Sequence, residues 1–344
     1  MVDKGYFIYR DPIDNRVQGI YGDFHALTGG FFPTKEKQIV IQPWASFAAT
    51  MVLIPEIHSE EEAVFQSWIN ESQMLRNVDV FVAGETEFGR QIEKIKAEID
   101  SGTLEKVVAA RASKVVFDWK KSLDAFLIAC EKYPESFAYL FFHPTWGLWI
   151  GATPELFLYV NGEDAETMAL AGTLYNSQDH WTGKEMEEQS VTGKFIEEIL
   201  LKNHCLFESE PITSIHTGPL QHLLSRYHFH PTHDRVHHLL KDLHPTPAVG
   251  GYPQTEATDF IYENEQLDRG LFTGWIGWTE GALLRTFVNL RCAQITEGTA
   301  ILYAGCGINA GSDPSKEWLE TEAKMNVIGS CLNSKSNGDP QAVQ

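Results

Sequence analysis

A chain of 344 residues, 43% apolar and 12% aromatic, can bury a large core as one domain or as two average ones. Subtracting 47 acidic from 27 basic residues leaves a formal charge of −20, which opposes binding to nucleic-acid phosphates or to an anionic membrane surface. Five cysteines, Cys130, Cys205, Cys292, Cys306 and Cys331, are odd in number and share no paired spacing, so they read as buried thiols and not as a disulfide or zinc framework.

In chain order, the opening MVDKGYFIYRDPID lacks the apolar core of a signal peptide, and no stretch approaches the roughly 20 apolar residues of a membrane helix. The expectation is a cytoplasmic protein. Strands are predicted near residues 7–9 and 39–42, and an acidic helix from residue 59. Phe88, Ile92, Ile95 and Ile99 recur at helical spacing over 87–99, with Gly102 placed to end that helix. Valine-rich alternation over 106–117 predicts a strand, and further strands are predicted at 137–142, 148–152, 156–160 and 167–171. A long amphipathic helix over 181–203 follows, then strands within 206–230 and a short helix at 234–240. HPTPAVGGYP is a loop by its prolines and glycines. After a helix at 255–266 come strand-like runs at 271–279, 282–295 and 300–305, and a last helix at 314–332. Mixed blocks without regular strand-helix alternation predict one large α+β domain with mostly antiparallel pairing. The polar end, from about residue 333, reads as a disordered tail.

Two pairs of glutamates stand at i, i+3 spacing on different predicted helices: Glu185 and Glu188 in KEMEEQ, and Glu317 and Glu320 in KEWLET. If these helices approach one another, four carboxylates converge, and a hard divalent cation such as Mg²⁺ would relieve their repulsion. Spacing alone is equally that of two solvated faces in an acidic chain. Glycine-rich segments at GATPE, LAGT, VGGYP and YAGCGINAG are either tight turns or places where backbone amides meet a carboxylate or phosphate. None is a nucleotide fingerprint. Eight of the 13 histidines fall between His216 and His244, yet their spacing matches no HExxH or zinc-finger pattern and is better read as ordinary polar residues. No GxSxG elbow marks a nucleophile.

Taken in order, EKVVAARAS, GATPELFL, LAGT, KEMEEQ, QHLLS, LHPTPAVGGYP, LDRGLFTGWIGW, LRCAQI and YAGCGINAGSDPSKEWLETEAK resemble the chorismate-utilising enzymes, most closely the isochorismate synthases of menaquinone or siderophore pathways. The resemblance implies a single domain of the anthranilate synthase component I-like fold, with large antiparallel sheets and helices packed outside. Residues 86–332 would be the chorismate-binding catalytic region, 1–85 a weakly matched part of the same domain, and 333–344 the tail. A monomer or weak homodimer with chorismate as its small-molecule partner, and neither nucleic acid nor membrane, is expected.

The same resemblance implies Mg²⁺ with Glu188 and Glu320 as direct ligands, and Glu185 and Glu317 acting mostly through metal-bound water. The metal would hold the ring carboxylate of chorismate, helped by Gly172, Thr173 and Lys324. Arg291 and the backbone near Gly305 and Gly307 match the site for the enolpyruvyl carboxylate, and His222 resembles a polar residue on the substrate side. Lys106 matches the family's water-activating base, and Glu155 its acid for the departing hydroxyl. Ala248 stands where ammonia-using members generally carry threonine, and Phe272 where salicylate synthases tend to carry tyrosine. Alanine at 248 together with Lys106 favours water as nucleophile over the ammonia of the anthranilate and aminodeoxychorismate branches, and the loss of both the threonine and the tyrosine disfavours the pyruvate-eliminating half-reaction of the salicylate synthases. Gln189, Cys306 and Leu174 depart from the common pattern, where histidine and alanine are usual at the first two.

Overall fold

The computed structural model describes residues 3–27, 35–72, 78–175 and 180–333. All of the predicted tail beyond Asn333 lies outside them. The described elements are β1 (Asp3–Arg10), β2 (Val17–Ala26), β3 (Gln38–Gln42), β4 (Met51–Ser59), α1 (Glu62–Glu71), α2 (Glu85–Asp100), β5 (Lys106–Val116), α3 (Ser122–Lys132), β6 (Phe137–His143), β7 (Gly147–Thr153), β8 (Leu156–Asn161), β9 (Asp164–Leu174) and α4 (Gly183–Lys202). Then follow β10 (Phe207–Ser209), β11 (Thr213–Thr217), β12 (Leu220–Phe229), α5 (Val236–Leu243), β13 (Gly251–Tyr252), α6 (Gln254–Asn264), β14 (Trp275–Glu280), β15 (Leu283–Val288), β16 (Cys292–Thr296), β17 (Thr299–Ile308) and α7 (Pro314–Leu332). No described helix is long and apolar enough to cross a membrane.

The pairings join these strands into one antiparallel ribbon. Its first half runs β13, β5, β17, β16, β7, β6, β1. The chain of pairs continues through β2, β4 and β3. The second half is β14, β15, β8, β9 and β12, with β10 and β11 both on the far edge of β12. Period-two alternation decides what each strand buries. Phe137, Tyr139 and Phe141 of β6 join Phe7 and Tyr9 of β1 in a core between the two halves, where the Phe137 ring stacks on Phe287 of β15 at 4.5 Å. Ala138, Leu140 and Phe142, one residue out of phase, pack beneath α1, α3 and α7. On the other half, Leu158, Val160 and Ala169 lie under Phe195, Ile196 and Leu200 of α4 and Leu239, Leu240 and Leu243 of α5. The ribbon is thus folded on itself with helices outside.

Several boundaries differ from those expected. β2, β4 and α3 were not foreseen, and the run 271–279 is strand only from Trp275. The run 282–295 is two strands, because it breaks at 289–291, where Arg291 takes the left-handed φ of 49°. A buried amide holds that break. Asn289 Nδ2 donates to the Leu271 carbonyl at 2.8 Å, its Oδ1 accepts from Tyr139, and its backbone pairs with Thr273 and Gly274. Nothing in the apolar alternation of LLRTFVNLRCAQI announces this irregularity.

Candidate active site

Both ends of the ribbon meet in one place, and α4 and α7 close over it. α4 begins at a capping box: Thr182 caps the helix while Glu185 Oε2 accepts from the Thr182 backbone N–H at 2.9 Å and from its hydroxyl at 2.5 Å. Local chemistry therefore claims the Glu185 carboxylate, which faces the cap and not Glu188. Glu188, one turn on, is buried. α7 starts at Asp313, whose carboxylate accepts from Ser315 and Lys316, with Pro314 in the first turn. Glu317, Glu320 and Lys324 then share a face, and both glutamates are buried.

Cations and carboxylates alternate between the two helices and β5. Lys106 Nζ lies 3.1 Å from Glu188 Oε1, though its geometry forms no hydrogen bond. Lys324 Nζ lies 2.6 Å from Glu320 Oε1 and donates to the Gly305 carbonyl at 2.9 Å. Lys184, which the sequence reading quoted within KEMEEQ and gave no role, sits among three carboxylates: 3.0 Å from Glu317, 3.9 Å from Glu320 and 4.0 Å from Glu188. Burial pushes the Lys106 ammonium below the ordinary lysine range, with Glu188 opposing. Glu317 is raised to about 7, first by burial and then by Glu320. Burial also opposes charge on Glu320, but Lys324 and Lys184 outweigh it and hold that carboxyl below its usual range.

Glycine makes room for this cluster. A Cβ at Gly307 on β17 would meet Glu188 Oε1 at 2.1 Å and Lys106 Cε at 2.8 Å, so only a residue without a side chain allows the pair to sit there. At Gly172, φ is 67° and a Cβ would press on the Glu185 backbone.

Opposite lie Glu155, Arg291 and His222. Glu155, in the link between β7 and β8, is buried and pushed up to about 8, mainly by burial, with Lys106 and Arg291 acting the other way. It is thus neutral at pH 7. Arg291 Nη2 lies 2.9 Å from His222 Nε2; a guanidinium can only donate, so Nε2 accepts. His222 Nδ1 then carries the proton and donates to the Gly172 carbonyl at 2.9 Å. Burial and the adjacent Arg291 hold the imidazole neutral. Among the described residues Arg291 Nη1 is buried without a hydrogen-bond partner.

These groups border a cleft of about 600 Å³, its open mouth included. Its wall contains Glu155, Gly172, Thr173, Glu188, His222, Ala248, Phe272, Arg291, Gly305, Gly307 and Lys324. Lys106, Glu317 and Glu320 stand behind the wall through their contacts with Glu188, Lys184 and Lys324, and Glu185 is at the helix cap. A larger hollow of about 1010 Å³ beside α2 and α6 holds none of the predicted site residues. The histidine-rich segment does not converge: His222 and His244 are buried, whereas His216, His228, His230, His237 and His238 are exposed. Sequence reasoning missed Lys184. It also read Gln189 only as a departure, whereas its buried amide fastens α4 to β9 through Ala171 N–H at 3.0 Å and the Ala169 carbonyl at 3.1 Å.

The family model described as chorismate binding enzyme covers residues 38–333. The chain belongs to that family. This chorismate-binding enzyme is 26% identical over 334 residues to isochorismate synthase EntC of Escherichia coli (strain K12), a match covering 92% of this chain and 82% of that relative. It is 32% identical over 215 residues to the salicylate biosynthesis isochorismate synthase of Pseudomonas aeruginosa, spanning 57% of this chain and less than half, 44%, of that relative's length. Among solved structures it is similar to the 2,3-dihydroxybenzoate-specific isochorismate synthase DhbC of Bacillus anthracis, with a TM-score of 0.75, 23% identity and 95% coverage of both chains. The chorismate-binding enzyme therefore shares the expected α+β architecture.

Proposed function

We propose that this chorismate-binding enzyme is an isochorismate synthase, an isomerase that adds water at C2 of chorismate and expels the C4 hydroxyl. The names of its relatives agree in this activity. The observation that carries the reading is the opposite tuning of two buried groups, Glu155 in the cleft wall and Lys106 directly behind the wall residue Glu188: Glu155 retains a proton at neutral pH, while burial biases Lys106 toward its neutral, proton-accepting form. Lys106 takes a proton from the attacking water, the ring double bonds shift, and Glu155 gives its proton to the leaving hydroxyl. Water is added and water is lost, so nothing is consumed. Arg291 Nη1, buried and without a hydrogen-bond partner among the described residues, offers a charge-assisted contact to a carboxylate of the dianionic substrate, and the bond from Nη2 to His222 fixes the guanidinium's orientation.

Glu188, Glu317 and Glu320 are the carboxylates a divalent cation would draw together: their oxygens already surround one positive charge, that of Lys184, and among the described residues Glu317 Oε2 is buried without a hydrogen-bond partner. Mg²⁺ held there, with Glu185 at most reaching it through water, would neutralise and orient the ring carboxylate. Ala248 in the wall offers no hydroxyl to an amine, and Phe272 offers none for a second, pyruvate-eliminating step. The reading is tested by incubating the protein with chorismate, Mg²⁺, labelled water and abundant ammonium. Isochorismate labelled at C2 is expected. An aminated ring as main product would overturn water as nucleophile, and early salicylate with pyruvate would make the enzyme a salicylate synthase.

A further inference from the structure

One ammonium stands where the three carboxylates of α4 and α7 converge. Lys184 belongs to the first turn of α4 and is i, i+4 to Glu188, and its side chain, only 11% exposed, crosses to Glu317 and Glu320 of α7. Among the described residues no three histidines, cysteines or acids stand ready to hold a metal as they are. Oxygens spread at 3.0–4.0 Å around an ammonium are too far apart for a Mg²⁺ shell of roughly 2.0–2.1 Å. A divalent ion and this ammonium cannot share the place, since like charges a few ångströms apart in a site screened from water repel strongly. The backbone at Lys184 is pinned, because Asn309 Nδ2 donates to its carbonyl at 3.3 Å and to Glu187 at 3.1 Å. Only the side chain has to move, and Thr182 and Gly183 beside it are exposed, leaving a way to solvent.

We propose that Lys184 is the resident counter-ion of the cation site: it neutralises the three glutamates while no metal is bound, sets the site's divalent-cation affinity, and leaves when the cation enters. This rests on the reading of the cluster as a Mg²⁺ site. Affinity of such a site falls by the fraction of molecules in which the competing group is out of the way. A lysine in place about nine-tenths of the time weakens binding about tenfold.

The test is calorimetric titration of Mg²⁺ into substrate-free full-length protein, with Mn²⁺ paramagnetic resonance as a second direct readout, for wild type, Lys184→Met, Lys184→Arg and Glu188→Gln. Lys184→Met should bind about tenfold tighter or more, melt at a lower temperature without metal, and gain more melting temperature from Mg²⁺ than wild type. Lys184→Arg, which keeps the charge, should show no tightening. Should Lys184→Met not fold, Lys184→Gln replaces it with the same expectation. Equal or weaker binding by the neutral variants, with wild type binding and Glu188→Gln not, overturns the counter-ion role and leaves the metal site standing. No binding of either ion by wild type and neutral variants alike overturns the metal reading and the proposal with it.

Discussion

At the scale of single residues, the groups with the largest shifts are those whose surroundings the sequence cannot display. Glu155 is one carboxylate among 47 acidic residues, and its pKa of about 8 comes from burial. The linkage has a definite sign. A carboxyl ordinarily near 4.5 and held at about 8 in the fold contributes stability that is complete below 4.5 and is lost as pH climbs through 8. The loss accrues at about 1.4 kcal/mol per pH unit between those values. Glutamine cannot ionise, so Glu155→Gln should gain in melting temperature relative to wild type on going from about pH 5 to pH 9, while turnover falls by about 10²–10⁴. Thermal unfolding across pH measures the first effect. A difference flat in pH would show that Glu155 is not held protonated. Lys106, Glu155 and Arg291 stand out in the sequence because each sits in a short recognisable motif; the tautomer of His222 and the place of Lys184 do not, since the first is fixed by Arg291, 69 residues away, and by Gly172, and the second by carboxylates on another helix.

At the scale of elements, two local rules competed for the same side chain. Spacing at i, i+3 pairs Glu185 with Glu188, but T-x-x-E at a helix start is also a capping box, and the box holds the Glu185 carboxylate. Thr182 and Glu185 are three residues apart, so this competition is visible in the sequence itself. The turn at 289–291 could not have been read, because it depends on Asn289 meeting Leu271 and Tyr139, which pairing brings together. Gly307 offers a test of how closely strand and helix are fitted. Its φ is ordinary, so alanine causes no backbone strain; the new Cβ would instead displace the tips of Glu188 and Lys106. Because those tips can bend away, Gly307→Ala should keep its melting temperature within a few degrees while kcat drops by at least about 100-fold. Melting curves beside steady-state kinetics check it, and near-normal turnover would mean that the Glu188–Lys106 pair need not sit there.

At the scale of the whole molecule, the ribbon explains why the first 85 residues carry no recognisable chemistry and are nevertheless not an appendage. β1 pairs on one side with β6 and on the other with β2, and β3 pairs with β14, so the path from one half of the ribbon to the other passes through β1, β2, β4 and β3. Antiparallel pairing in mixed blocks was visible in the alternation of single strands, but this order was not. It depends on contacts such as that of Tyr6 with Phe142, far apart in the chain. Removing residues 1–85 would strip the inner core of Phe7, Tyr9, Ile20, Ile39, Ile41 and Leu53 and leave the edges of β6 and β14 unpaired. Unpaired edges beside exposed apolar faces favour association over folding. A chain of residues 86–344, although it retains Lys106, Glu155, Arg291 and the glutamates of α4 and α7, should therefore show no cooperative thermal transition, bind a dye specific for exposed apolar surface, and leave chorismate unchanged. Calorimetry, dye fluorescence and product analysis measure these in turn. A sharp, reversible transition in that fragment would mean that the two halves close on each other without the strands that connect them, and that the core between them, and not the continuity of the ribbon, positions the cleft.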